Sequence, residues 1–471
     1  MTGSSMSAPV TPRSATTGWW ALLPLALAQF ICSFAGSNMN VMLNDMSRDL
    51  DTSVHAIQIS ITLFLLVMAA LMIPFGKLTD QLGRKLCFVL GLSIYGVGAV
   101  VSALSPGLGF LILGNSILEG AGTALLIPPV YILVTMYWTG IADRARAFGL
   151  VSAAGGVGAA TGPLIGGWIC ATISWRAAFV FQALIIVVIL VLALRLKDPR
   201  PAEPDRPYDL VGAILSGSGL IVFVLGILAV DNSFVFALVL LLAGAGIIAL
   251  FFVWVRRRES AGREPLLSTT LFRSRISNLG LVTQNLQWLL LMGTSMLVAS
   301  HLQVVRGYDA IETGVIFSAA TVGILGSSLA AGALVKRFAQ RTLIVTGFLI
   351  TGVGLLLLLI VGAVPGAWAF AWGLLAIGIG LGVMLTPSVN LVQSAFPEEK
   401  QGEISGLSRS ISNLGSSFGT AIVGTLLVLD VRGPNDNYVL ALSPLVVVAI
   451  AGMVVASLLP GRSVTTARTS G

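Results

Sequence analysis

Charge is what this chain lacks most. Only 10% of its 471 residues are Asp, Glu, Lys or Arg, where a soluble domain carries about 25%. Histidine is nearly absent, with His55 and His301 alone, and the three cysteines are Cys32, Cys87 and Cys170. No His/Cys cluster or metal-like spacing occurs among them, which argues against a metal site, a cofactor and an enzyme. The cysteines read as small apolar fillers of membrane spans. What remains is a chain that is 56% hydrophobic with a mean hydropathy of +0.95. That composition belongs to an all-α polytopic membrane protein.

A span needs about 20 apolar residues. Fourteen runs qualify, near 20–43, 56–76, 86–105, 109–133, 146–172, 177–196, 210–230, 234–255, 277–301, 312–335, 342–363, 367–392, 404–429 and 438–460. The net charge of +7 does not point to nucleic acid, because its distribution accounts for it. With loops assigned alternately, only Arg48, Arg176, Arg306 and Arg432 of the 27 Lys and Arg fall outside, leaving 27 − 4 = 23 on the other side. That bias places both termini in the cytoplasm and the chain in the cell membrane as a multi-pass protein. The first apolar run is too long for a signal-peptide core, so it reads as an uncleaved span.

The densest charge lies in GKLTDQLGRK, Gly76 to Lys85. Taken singly, Lys77, Arg84 and Lys85 read as an ordinary positive-inside loop, while Asp80 is a candidate for a helix terminus or an ion pair. The spacing returns in GALVKRFAQR, Gly332 to Arg341, at an offset of 332 − 76 = 256. GAGTALLIPP from Gly120 matches GIGLGVMLTP from Gly378, and Gly149, Gly158 and Gly162 match Gly406, Gly415 and Gly419, at offsets of 258 and 257. Three matches near one offset identify a duplication in the same orientation, the pattern of transporters built from parallel halves with a site between them. Spans seven and eight have no counterpart. The expected layout is therefore a disordered tail over 1–18, a six-helix bundle over 19–197, an inserted transmembrane hairpin with cytoplasmic loops over 198–275, a second six-helix bundle over 276–460 and a cytoplasmic tail over 461–471.

Polar residues recur inside the spans. Gln29, Ser33, Ser37, Asn40 and Asn44 share one face of span one, and Gln284, Asn285, Gln287 and Trp288 crowd one turn of span nine. Two readings fit: they line a water-filled cavity, or they hold helices together. Ser33, Ser37, Asn40, Gln284, Gln287 and Trp288 are the cavity candidates, with Asn115 and Ser116 of span four. In span five, Gly158, Gly162 and Gly166 fall on one face around Pro163, which suits close helix approach and a bend. Of the twenty acids, only Glu119 sits mid-span, with Asn115 and Thr123 on its face. Burial without a countercharge favours a neutral carboxyl, so such a group can exchange a proton as its exposure alternates; fixing helix packing is the other reading. Arg409, near the inner end of span thirteen, either snorkels to the headgroups or faces the cavity as a counter-ion for Glu119.

These stretches resemble motifs of the major facilitator superfamily, and within it the fourteen-span drug:proton antiporter branch. GKLTDQLGRK resembles the family's G-x-L-x-D-r-x-G-r-k loop, GVGAATGPLIGG the antiporter motif of span five, and SWRAAF (Ser174 to Phe179) the outer loop that follows. The resemblance implies two six-helix bundles, a central cavity, alternating access and proton-driven export of amphipathic, drug-like compounds. It implies a cytoplasmic gate at Gly76, Asp80, Gly83, Arg84 and Lys85, and an antiporter motif at Gly158, Gly162, Pro163, Gly166 and Gly167. The family's span-four pattern R-x-x-Q-G carries Ser116 and Glu119 here, Ala35 stands where the branch has an acid, and Ser412 stands where it has an arginine. Either Glu119 carries the proton instead, or the coupling or direction of transport differs. The expected partners are a small-molecule substrate, protons and the bilayer, with the chain acting as a monomer. The competing readings are an exporter or importer of an endogenous metabolite or lipid, and a transport-dead sensor.

Overall fold

The computed structural model describes residues 18–138, 141–198, 208–229, 233–361, 366, 368–396, 401–428 and 434–460. The terminal tails expected over 1–18 and 461–471 thus lie almost wholly outside the described residues. The described chain is helical throughout, with no strand. In order the helices are α1 (Gly18–Asn38), α2 (Leu43–Asp49), α3 (Val54–Leu82), α4 (Arg84–Ala103), α5 (Leu108–Leu111), α6 (Gly120–Tyr137), α7 (Ile141–Thr172) and α8 (Trp175–Ala193). They continue as α9 (Leu210–Leu228), α10 (Phe234–Ser260), α11 (Arg275–Ser300), α12 (Ala310–Arg337), α13 (Gln340–Val361), α14 (Trp368–Gln393), α15 (Gln401–Val428) and α16 (Pro434–Ser457). A π-helical segment, Ile112–Glu119, joins α5 to α6 in one long helix, and a second, His301–Val305, extends α11.

Twelve stretches among the described residues are long and apolar enough to cross a membrane, thirteen when the two arms of α7 count as one. The stretch outside that set is α15, 28 residues long, whose Ser405, Ser408, Ser410, Ser412, Ser416 and Ser417 dilute its apolar character. Burial is inverted relative to a soluble protein. Leu104, Ile173, Phe234, Val235 and Trp372 stand well exposed, while Gln29, Gln58, Glu119, Gln182 and Gln284 are sealed inside. Such an outer surface is solvated by lipid tails.

Helix ends follow local chemistry. Ser53, Ser174, Ser233 and Ser274 cap α3, α8, α10 and α11 by accepting from a backbone N–H one turn in, and Asp309 with Glu312 forms a capping box on α12. Gly83 separates α3 from α4 at φ 95, a conformation that side chains other than hydrogen rarely adopt.

The duplication is visible in the packing. α1 lies along α7 as α11 lies along α15, and α4 pairs with α6 as α13 pairs with α14. Gly158 sits against the Phe30 carbonyl and Gly415 against the Asn285 carbonyl, so glycines 415 − 158 = 257 apart meet carbonyls 285 − 30 = 255 apart. Gly122 meets the Gly91 carbonyl as Gly380 meets that of Gly347. A Cβ at any of these positions would overlap its neighbour, so these crossings need glycine.

The two repeats touch along two seams, α3 against α15 and α7 against α12. The helices without a counterpart, α9 and α10, pair with each other, and α9 rests on both α3 and α15. Asp209 anchors this hairpin at one end. Its carboxylate accepts from the backbone N–H of Gly212 (3.0 Å) and Leu266 (3.1 Å) and from Trp254 Nε1 (3.0 Å), with Arg258 at 3.7 Å. The segment after α10 is thereby held beneath α3.

Candidate functional site

Three adjoining cavities lie between the repeats. The largest spans about 560 Å³, its open mouth included, and is walled by α1, α7, α11, α12, α14 and α15, with Gln29, Ser33, Trp288 and Arg409 among its lining. The same four residues line a second cavity of about 450 Å³ that reaches Cys32, Met68, Met72 and Ile127. A third, about 440 Å³, lies beside Ser37, Pro163, Met292 and Phe317. The walls are mainly apolar and aromatic with a few hydroxyls and amides, the character of a site for amphipathic small molecules.

Polar contacts between the repeats close one end, the outer one in the orientation expected from the sequence. Asn40 Nδ2 donates to Ser295 Oγ (3.2 Å), Gln58 Nε2 to Ser300 Oγ (2.9 Å), Asn44 Nδ2 to the Gln303 carbonyl (2.8 Å) and Gln303 Nε2 to the Asn40 carbonyl (3.0 Å). Along the α3–α15 seam, Thr62 donates to Thr420 (3.2 Å) and Ser410 Oγ to the Ala69 carbonyl (2.6 Å). At the inner end Lys77 Nζ lies 3.4 Å from Glu403 Oε1 and 3.5 Å from Glu264 Oε2. Lys77 thus joins the first repeat to the second and to the segment following the hairpin. Sequence reading had set it down as an ordinary loop lysine; its partners are remote in sequence, so no local signal marks it.

Lys85 of the expected gate binds toward the end of the first repeat. The Lys85 backbone N–H donates to Asp198 Oδ2 (3.1 Å) and its Nζ to the Leu194 carbonyl (3.1 Å), tying the α3–α4 turn to the end of α8. A Cβ added at Gly76 would meet Pro128 at an ordinary 3.7 Å, and Arg84 is buried. The side chain of Asp80 lies outside the described residues, as does that of its repeat counterpart Lys336.

The span-five motif packs α7 against two neighbours. Gly158, Gly162 and Gly166 face Phe30, Ser37 and Asn38 of α1, while Gly167 lies on the Ala310 carbonyl and Gly314 on that of Pro163, both across the α7–α12 seam. The two arms of α7 meet at 40° beside Ala159 and Thr161. Pro163 has no N–H for the Ala159 carbonyl four residues earlier, which accounts for the bend.

The polar candidates divide. Ser33, Ser37, Trp288 and Arg409 line the cavities. Asn40 belongs to the outer closure. Gln284 and Gln287 donate to Ser388 of α14, and Ser408 donates to Gln284 (2.6 Å), so both serve packing inside the second repeat. Ser116 donates to the Ser60 carbonyl (2.8 Å), joining the π segment to α3, and Asn115 is buried beside it, away from the cavity walls. Gln29, Met68, Met292 and Ser412 are lining residues beyond the candidate set; Gln29 was legible as part of the span-one stripe.

Glu119 ends the π segment and is fully buried between it and α4 rather than in the cavity wall. Ser102 Oγ donates to its Oε1 (3.1 Å), and the Tyr95 hydroxyl adjoins the carboxyl and also bonds Gln182 of α8. Gly98 and Gly114 bring the backbones into contact here; a Cβ on Gly98 would come within 2.9 Å of Glu119 Cγ. Cys32 lines the second cavity together with Arg409. Arg409 does not snorkel. Its guanidinium stands 4.7 Å from the Tyr131 ring centre, and Nη2 donates to Gln29 Oε1 at 3.4 Å, both on the opposite repeat.

On the outer face, Asp49 accepts from Arg176 and from Trp175 Nε1 (3.0 Å), while Arg176 Nη2 donates to the Ser105 carbonyl (2.9 Å) and stacks 4.3 Å from the Trp175 ring. The hydrogen bond from Arg176 holds the Asp49 carboxyl below its ordinary 3.8.

Duplicated helical repeats enclosing an amphipathic chamber within the bilayer, with polar contacts at either end, define a membrane transporter. The chain belongs to the Major Facilitator Superfamily, whose family model matches residues 25–420. It is 28% identical over 434 residues to the multidrug efflux pump LfrA of Mycolicibacterium smegmatis, covering 91% of this chain and 84% of that one. It is likewise 28% identical to the puromycin resistance protein pur8 of Streptomyces alboniger, over 87% of this chain and 81% of the relative. Against the probable actinorhodin transporter of Streptomyces coelicolor the identity is 28%, over 86% and 72%. These relatives place it in the drug:proton antiporter branch, as a multi-pass protein of the cell membrane that handles small molecules.

Proposed function

We propose that this protein exports amphipathic, drug-like compounds by alternating access, driven by the proton gradient and without a cofactor. The carrying observation is that the chamber is closed at its two ends by separate sets of contacts between the repeats. Asn40, Asn44, Gln58 and Gln303 hold the outer end, and Lys77 with Glu403 holds the inner. Either set can be released while the other stays made, and that independence is what alternating access requires. Efflux and resistance names among the relatives support the outward direction.

In this reading the protein has fourteen spans, with α15 as the one built of serine-rich sequence, two six-helix bundles over 19–197 and 276–460, an inserted hairpin over 198–275, cytoplasmic termini, and a monomer as the working unit. Glu119 carries the proton. Cys32 of α1 lines the chamber, and in this reading a movement of α1 opens a proton path to the Glu119 carboxyl. The α3–α4 turn, with Gly83 and the expected gate residue Asp80, moves with the inner gate. Coupling arises because proton and substrate favour different conformations.

The test uses purified protein in liposomes loaded with a pH-sensitive dye, a panel of amphipathic compounds, and Glu119→Gln beside wild type. Substrate-evoked proton movement that disappears in the variant is expected. Full gradient-driven transport by Glu119→Gln would remove Glu119 as the carrier, and absence of proton movement with any transported compound would remove antiport.

A further inference from the structure

The chamber contains one charged side chain among its described lining residues, and that charge is positive. Arg409 borders both cavities that share Gln29, Ser33 and Trp288. Its described partners are a neutral amide oxygen, Gln29 Oε1 at a long 3.4 Å, and the face of Tyr131. No described carboxylate forms an ion pair with it. Glu119, the intramembrane acid, spends its hydrogen-bonding on Ser102 inside the first repeat and lines none of the cavities. The acids of the inner closure, Glu403 and Glu264, are engaged by Lys77.

A guanidinium offers five donors in a planar fork. Here one weak bond to Gln29 uses a single donor and the Tyr131 ring centre lies 4.7 Å from the guanidinium carbon, so the other donors have no hydrogen-bond partner among the described residues of this chamber-lining side chain. A cation entering this space would meet an uncompensated positive charge at low dielectric, a repulsion far stronger than in water. An anion would find a forked donor. Around it lie Trp288, Met68, Met72, Met292 and Phe64, a polarizable apolar wall suited to a flat aromatic body.

We infer that the chamber selects planar aromatic anions, with Arg409 as the specificity-determining residue that pairs with the carboxylate or phenolate of the substrate. The inference rests on the exporter reading above and narrows its substrate class.

The experiment compares two dyes that share a xanthene ring system and differ in charge, anionic fluorescein and cationic rhodamine 123. Binding to full-length protein in nanodiscs is followed by fluorescence polarisation at pH 8 for wild type, Arg409→Lys and Arg409→Gln. Wild type should bind fluorescein about tenfold or more tightly than rhodamine, the scale of one charge-assisted contact. Arg409→Lys should keep the sign of that preference, and Arg409→Gln should abolish it while still binding dye. Tighter binding of rhodamine, equal binding, binding of neither dye, or an unchanged preference in Arg409→Gln would overturn the inference. Uptake of both dyes into inverted vesicles under a proton gradient keeps the two readings apart. Rhodamine moved in preference to fluorescein overturns anion selection and leaves the exporter standing. Fluorescein bound through Arg409 yet never moved by a gradient supports the anion site and overturns the exporter.

Discussion

Asn40 donates to Ser295 across 3.2 Å, joining residues 255 apart in the chain. The internal repeat has offsets of 256 to 258 (332 − 76 and 378 − 120), so these residues occupy nearly equivalent places in the two repeats. Equivalent places can touch only close to the axis that relates them. The outer closure is therefore built at the pseudo-twofold axis, where a rocking motion shortens or lengthens each contact together with its counterpart.

Removing an outer contact should tilt the balance toward the outward-open form. Asn40→Ala and Gln58→Ala each delete one hydrogen bond across the seam. A contact of that kind in a membrane bundle is worth about 0.6 kcal/mol, roughly a threefold change in population. The readout is labelling of Ser37→Cys by an impermeant maleimide from outside, which should accelerate by that factor. Unchanged labelling would take Asn40 out of the closure.

Lys77→Gln should act in the opposite sense, because it severs both ion pairs at the inner end. About 1 kcal/mol is expected for this partly buried cluster, roughly a fivefold gain in labelling of Ser33→Cys from the cytoplasmic side. Wild type should approach the variant as ionic strength rises, since salt screens the pairs.

Glycine positions allow a graded test of the repeat. Gly158→Ala and Gly415→Ala force a Cβ onto the carbonyls of Phe30 and Asn285, whereas Gly149 has open space around it. The first two should each destabilise by about 1 to 3 kcal/mol, lowering the detergent-solubilised melting temperature by similar amounts. Gly149→Ala should melt within a degree or two of wild type.

The outer cluster should be robust to mild acid. Asp49 titrates below its ordinary value because Arg176 hydrogen-bonds its charged form. A depressed carboxyl contributes stability that is complete above its unfolded value and is lost as pH falls through the folded one. The melting difference between wild type and Asp49→Asn should hold steady from pH 8 to about 5 and shrink only below about 4. A difference that vanished near neutral pH would exclude this ion pair as its source.

Much of this architecture was legible because its signals are local. Apolar runs, the basic loops and the spacing of Gly158, Gly162 and Gly166 all read directly along the chain, and Pro163 declares its own bend. What a polar side chain faces is set instead by how its helix is rotated against neighbours hundreds of residues away. Ser33 and Gln284 look alike in sequence, yet one borders the chamber and the other is held by Ser388 and Ser408. Arg409 lies near a span end, which suggested the headgroups, but its contacts Gln29 and Tyr131 belong to the other repeat, Gln29 being 380 residues distant. Glu119 was recognisable as buried; the glycine crossing at Gly98 and Gly114 that turns it away from the chamber was not, because it depends on two helices meeting.

The hairpin that interrupts the duplication has one further consequence. α9 rests on α3 and α15 together and so covers one of the two seams between the repeats. Lipid tails on that side meet α9 and α10, whose outer faces carry Leu225, Phe234, Leu242 and Leu250. The α7–α12 seam has no such cover from the hairpin. Lipid thus meets the repeats themselves along one seam and the hairpin along the other, giving the molecule a front and a back within the plane of the membrane.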